Sequence, residues 1–174
     1  MEPEQTRSFH DQFVELFQAH FPRIFRYVDR LSGEAETAAD VAQEAFVRLY
    51  QRGSLPDAPE AWLISVAMNL LRNTRSTQSR RLRLLTPARG ESAHSDPAPA
   101  PDELAEAGDS RLRVRAALDR MSEKERRMLL LRAEDYRYKD IAAALGVNEA
   151  SIGVLLARAR RRFREIYEEL HGAP

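Results

Sequence analysis

YKDIAAALGVNEASIGVLLARARRRF, Tyr138 to Phe163, begins apolar and ends with Arg158, Arg160, Arg161 and Arg162. One helix cannot place both halves in the same environment. Ile141, Ala142 and Leu145 recur at the spacing of one helical face, and Ile152, Leu155 and Leu156 at that of another. Between them Gly146 permits the positive φ of a sharp turn. Val147 plugs the corner, and Asn148 is placed to cap a second helix. The small Ala142 lets the two helices approach closely, which is the spacing of a helix-turn-helix. An ordinary helical hairpin is the competing arrangement. In the helix-turn-helix, Glu149, Ala150, Ser151, Val154 and Ala157 are exposed. Arg158, Arg161 and Arg162 then project outward, toward phosphates or base edges. A solvated helix end also suits these cations, and Glu165, Glu168 and Glu169 offer them local ion pairs.

The whole chain narrows the options. Its 174 residues suit one ordinary domain or two small ones. It holds no cysteine, so disulfides and thiolate metal sites are excluded. No apolar run approaches the roughly 18–20 residues that span a bilayer. The start, MEPEQTRSFHDQ, is acidic and polar, unlike a signal peptide. These features lead us to expect a cytoplasmic protein. The net charge is zero, with 27 basic and 27 acidic residues, but it is unevenly spread. Residues 1–61 hold eleven acids and six bases, whereas residues 62–95 hold one acid and six bases. A basic middle within a neutral chain is a sign of a nucleic-acid surface. Nearly all the cations are arginine, which suits phosphate forks and base edges but also follows from a GC-rich genome.

TPARGESAHSDPAPAPDELAEAG, Thr86 to Gly108, carries four prolines and little to bury. It reads as an extended linker. We therefore expect an all-α protein of two small helical domains, residues 8–85 and 110–171, joined by a flexible linker over 86–109. In the first, Phe9, Phe13, Leu16 and Phe17 mark one helix and Ile24, Phe25, Val28 and Leu31 a second. Pro22 suits the first turn of that second helix, and Ser32-Gly33 ends it. A third helix runs from about Ala35 to Gln51, and a fourth opens at Pro59. In the second domain, Ser122 and Glu125 form a capping box for MSEKERRMLLLR.

Two further stretches carry chemistry. In DVAQEAFVRLYQRG, Asp40 to Gly53, the residues Asp40, Gln43, Glu44 and Val47 share one helical face. Without a nucleophile or histidine nearby, this is a poor catalytic or metal site and a reasonable partner-binding face. A solvated face has the same pattern. In PEAWLISVAMNLLRNTRSTQSRRLR an amphipathic helix runs into Arg72, Arg75, Arg80, Arg81 and Arg83, with Asn69, Asn73, Thr74 and Ser76 among them. Amides and hydroxyls within a basic surface can contact unstacked bases and backbone. Trp62 is expected in the core rather than against a base. The histidines, at 10, 20, 94 and 171, are scattered, and no phosphate loop or catalytic triad emerges. No cofactor or metal is implied.

The order DxxQEAFxRLY, AWLxxxAxNLxxN with basic residues, a proline-rich linker, MSEKERRMLLLR and a helix-turn-helix resembles a bacterial RNA polymerase sigma factor. The two-domain form resembles the extracytoplasmic-function group of the sigma-70 family, over residues 9–83 and 111–167. The resemblance implies a set of roles. The Asp40, Gln43, Glu44 and Val47 face would bind the clamp helices of the polymerase largest subunit. Asn69, Arg72, Asn73, Arg75, Arg80 and Arg81 would bind and melt the −10 promoter element, with Asn69 at the capture of a flipped base. Glu149, Ala150, Ser151, Val154, Arg158, Arg161 and Arg162 would read the −35 element. The β flap of the polymerase and an anti-sigma factor would be further partners. The chain departs from the family at Gly153 and Leu155, where a basic residue is common, and at Asn73, where aspartate is more usual. Fewer direct base contacts and more shape readout at −35 would follow. A helix-turn-helix regulator acting without polymerase is the alternative.

Overall fold

The computed structural model describes residues 8–85 and 102–172, with side chains over 8–77 and 108–172. Every element among them is helical: α1 (Phe9–Ser32), α2 (Ala35–Arg52), α3 (Pro59–Leu85), α4 (Asp102–Asp119), α5 (Glu123–Ala133), α6 (Tyr138–Leu145), a 3-10 turn (Glu149–Ser151) and α7 (Ile152–His171). The all-α expectation holds.

Helix α1 opens where the Ser8 hydroxyl accepts from the Asp11 N–H and closes at Gly33, whose φ is 78°. It runs unbroken through Pro22, so the expected division into two helices is corrected. Proline removes the N–H that would bond the Gln18 carbonyl, and an interior proline costs a helix about 3 kcal/mol. Packing across the site offsets that cost. Before Pro22, rings stack along the helix, with Phe17 and Phe21 centroids 4.9 Å apart and Phe46 of α2 5.1 Å from Phe17. After it, Ile24, Tyr27, Val28 and Leu31 are buried, each contributing on the order of 2 kcal/mol.

Helix α2 buries Ala38, Val41, Ala42, Ala45, Phe46 and Leu49 against α1 and ends at Gly53. Helix α3 lies parallel to α1. The Tyr27 hydroxyl meets the Met68 sulfur at 3.1 Å, and one turn on, Arg75 donates to the Leu31 carbonyl at 2.7 Å. Trp62 packs half-buried against the core, as expected. Helix α4 starts at Asp102, inside the segment read as linker. Its Glu103-Leu104-Ala105-Glu106-Ala107 run consists of strong helix formers, which the preceding prolines obscured. The remainder of that segment, 86–101, lies outside the described residues. The Ser122–Glu125 capping box forms and starts α5.

The two halves pack together. Buried apolar residues form one cluster running from α1, α2 and α3 into α4–α7. Around it, polar groups of α1 and α3 meet those of α4–α6. Arg115 donates to the Ser32 carbonyl at 2.8 Å, and Arg137 reaches Glu60 at 3.2 Å. The Arg115 guanidinium fills the space where a Cβ on Gly33 would sit. His20 lies between the halves, its Nδ1 3.2 Å from Arg23, its Nε2 3.8 Å from Glu60 and its ring stacked on Tyr136.

Two expectations follow. Gly33→Ala forces a side chain into left-handed backbone, at about 1–2 kcal/mol, and displaces Arg115; the urea midpoint should fall accordingly. Burial, and then the charge of Arg23, hold the pKa of His20 below its ordinary 6.5. Below that value the unfolded imidazole takes up a proton that the folded one resists, so stability falls as pH drops from about 6.5. The denaturation midpoint should be lower at about pH 5.5 than at about 7.5. His20→Gln should remove part of that difference.

Candidate polymerase and promoter interfaces

Three surfaces carry the residues singled out in the sequence. On α2, Asp40, Gln43 and Val47 are exposed and Glu44 is half-buried, while Val41, Ala45 and Leu49 face the core. The single face is thus real. Glu44 accepts from Arg48 at 2.8 Å, one turn on. Asp40 also rims a shallow depression lined by Glu34, Glu36, Thr37 and Thr74. Val47 does not stand alone: Val14, Phe17 and Tyr50 are also exposed, with the Tyr50 ring 5.1 Å from Phe13. Phe17 belongs to the apolar period that marks this helix in the sequence. An exposed aromatic at a helix-periodic position has the same spacing as a core one, and the packing of α2 beside α1 decides which it is.

On α3, Asn69, Arg72, Asn73 and Ser76 are exposed on the surface of the helix. Met68 and Leu71 turn inward. Arg75 behaves differently from the other arginines. Its guanidinium bonds the Leu31 carbonyl, an acceptor left over at the end of α1. Burial, with the nearby charge of Arg126 next, lowers its pKa from the arginine value. The side chains of Arg80 and Arg81, also assigned to −10 DNA, lie outside the described residues.

The third surface is the helix-turn-helix. Helix α6 and the helix from Glu149 to His171 meet at 112°, within the roughly 90–120° range of such motifs. Gly146 takes φ 63°, the Val147 N–H bonds the Ala142 carbonyl at 3.0 Å, and Asn148 accepts from the Ala150 N–H at 2.9 Å. The turn is therefore built from the residues that announced it. Ile141, Ala142, Ile152 and Leu156 are buried, and Leu145 and Leu155 half-buried. Glu149, Ala150, Ser151, Val154, Ala157 and Arg158 form the free face. Arg161 and Arg162 share Glu165, at 3.7 Å and 3.4 Å. Arg158 has no acidic partner among the described residues. A Cβ at Gly153 would lie 3.8 Å from the Tyr138 ring, an ordinary contact.

Among the described residues no group of three His, Asp or Glu side chains is placed to hold a metal, and no single helix is long and apolar enough to cross a bilayer.

Comparison with known proteins matches two stretches of the chain. The model of sigma-70 region 2 fits residues 16–81, and that of sigma-70 region 4 fits residues 111–163. The chain is 32% identical over 161 residues to the ECF RNA polymerase sigma factor SigL of Mycobacterium tuberculosis, covering 89% of this chain and 88% of SigL. The chain belongs to the sigma-70 family of RNA polymerase sigma factors, in its extracytoplasmic-function group. It is 31% identical over 156 residues to the ECF sigma factor SigE of Mycolicibacterium smegmatis, where it spans 60% of that protein's length. Its fold is similar to that of the sigma factor RpoE of Bartonella quintana, solved in complex with the anti-sigma factor NepR. That likeness has a TM-score of 0.61 at 20% identity and covers 91% of this chain and 97% of that one.

Arg75 and Arg72 differ in what they touch, and stability separates them. Arg75→Ala removes a charged hydrogen bond to a helix end and should lower stability by about 1–2 kcal/mol. Arg72→Ala, on an open surface, should stay within about 0.5 kcal/mol. Chemical denaturation of the two variants checks this.

Proposed function

We propose that this sigma factor loads onto core RNA polymerase in the cytoplasm and gives it promoter specificity. The observation that supports this best is the presence of two DNA-compatible surfaces on separate helical units, residues 8–85 and 110–171, with a third, acidic and apolar face on α2. In this reading Asp40, Gln43, Glu44 and Val47 seat on the clamp helices of the largest subunit, and the second unit also meets the β flap. The exposed Val14, Phe17 and Tyr50 extend the α2 face with apolar contact. Such a mixed patch suits a protein partner better than solvent.

Asn69, Arg72 and Asn73, continuing toward Arg80 and Arg81, hold the −10 element. Amides read the edge of an unstacked base and guanidinium groups hold the backbone. The helix-turn-helix places Glu149, Ala150, Ser151, Val154 and Arg158 in the major groove at −35. Arg161 and Arg162, shared with Glu165, contribute at the phosphate rim. No covalent step is involved. Opening of the duplex is driven by binding to bases once they leave the stack, so the protein acts as a specificity subunit and not as an enzyme. An anti-sigma factor remains a natural further partner, given the complex that the Bartonella RpoE forms.

Two experiments check the assignment. Reversing charge at Asp40 and Glu44 should weaken binding to core polymerase at least tenfold, a change of about 1.4 kcal/mol, without altering the circular-dichroism spectrum. Unchanged affinity would remove these residues from the interface. Arg158→Ala should weaken duplex binding and reduce the slope of log K against log salt by about 0.9, one phosphate's worth. An unaltered affinity and slope would place Arg158 off the DNA.

A further inference from the structure

The free face of the helix-turn-helix is short of groups that bond a base edge. Glu149, Ser151 and Arg158 carry polar side chains, but Ala150, Gly153, Val154 and Ala157 between them carry none, and all are exposed. Ala150, Val154 and Arg158 follow at four-residue spacing, so they lie along one line of the helix. Val154 is 56% exposed. An aliphatic side chain thus stands in water in the middle of that line, one turn before the unpaired Arg158.

Tyr138 adds to this surface from the other helix. It is the first residue of α6 and is 41% exposed. Its Cε2 lies 3.8 Å from where a Cβ on Gly153 would be, so the ring sits beside bare backbone of α7. The Arg132 guanidinium lies 5.9 Å over the ring, and its Nη1 donates to the Tyr136 carbonyl at 3.5 Å. The ring is therefore held from its own side of the turn. Gly153 is not demanded by the backbone. It lies within α7 without a left-handed φ, and an added Cβ would make one ordinary contact. Glycine inside a helix is costly relative to alanine. What the missing side chain does is open a notch that leaves the Tyr138 ring uncovered.

We propose that Tyr138 is a specificity-determining residue for the −35 element: with Val154 and the notch at Gly153, its ring receives the 5-methyl group of a pyrimidine, thymine in unmodified DNA. The 5-methyl is the apolar feature that a base pair shows in the major groove; the other groups there are donors and acceptors. An aliphatic side chain and an aromatic ring gain by burying a methyl and leave a donor or acceptor in its place unpaired. Where this surface touches the duplex it favours A·T over G·C, while Arg158 bonds phosphate or guanine beside it. The proposal deepens the promoter reading given above and rests on it, since it needs α6 and α7 at the major groove.

The test uses the polymerase-loaded chain and a promoter that it selects from a genomic library. Each thymine of the −35 element, on either strand, is replaced in turn by uracil, which removes the methyl and keeps every hydrogen-bonding group. At one or two positions Kd should rise about fourfold, the worth of one buried methyl. At those positions Tyr138→Ala should bind the thymine and uracil duplexes equally. Tyr138→Phe, which keeps the ring, should keep the preference. Gly153→Gln covers the ring from a helix position that accepts a side chain, and it should lose the preference too. Circular dichroism verifies that each variant is folded; if Tyr138→Ala is not, Gly153→Gln stands in for it. Uracil without effect at every position, an element without an A·T pair, or a preference that persists in folded Tyr138→Ala or its stand-in overturns the proposal. Two controls separate this from failure of the promoter reading: scrambling the whole −35 element, and Arg158→Ala. If both lower the affinity while uracil does not, the proposal alone falls. If neither does, the −35 reading falls and takes the proposal with it.

Discussion

Burying the Glu134 carboxylate is tolerable because arginines of α1 meet it. A carboxylate taken out of water without such partners costs several kcal/mol. Its position therefore commits α1 to a particular register against α5. From that register the rest of the contact follows: Tyr136 under Arg23, Arg137 against Glu60, and Arg115 at the end of α1. Helix α1 is shared property. Its core face serves the N-terminal unit, its arginines hold the C-terminal one, and its last carbonyls are capped from both sides by Arg75 and Arg115.

This sharing suits the size of the units. Each is near the lower limit at which a helical domain buries enough apolar surface to fold alone. Docking merges their cores into one cluster. In the role proposed above, the units would part to span both promoter elements. A contact built from ion pairs at the rim, with Arg26 and Arg30 about half exposed, answers both needs. It is directional enough to define one docked state, and its exposed cations are rehydrated cheaply on opening.

The legible parts of the sequence were those decided locally. The helix-turn-helix could be read because Ala142, Gly146 and Asn148 each do something their own residue type dictates within a few positions. The Ser122–Glu125 box is a three-residue relation and formed as read. Pro22 was misjudged because the aromatic ladder that carries α1 through it involves Phe46, a contact between helices. The start of α4 was hidden by the prolines before it. Arg75 carries the residue type of a DNA contact, and nothing short of the folded chain reveals the Leu31 carbonyl that engages it. The arginine contacts of Glu134 were out of reach for the same reason: Arg26 and Glu134 stand 108 residues apart and belong to no shared period.

The most direct test of this account is the distance between the two units before and after loading. The chain has no cysteine, so Ser54→Cys and Glu168→Cys give two unique spin-label sites on exposed positions of the opposite units. Pulsed dipolar spectroscopy on the free protein should give one short, narrow distance distribution. With core polymerase and promoter DNA it should shift to a much longer one, consistent with elements about 85 Å apart on duplex. A single unchanged distribution in both states, or a long one in the free chain, would contradict it.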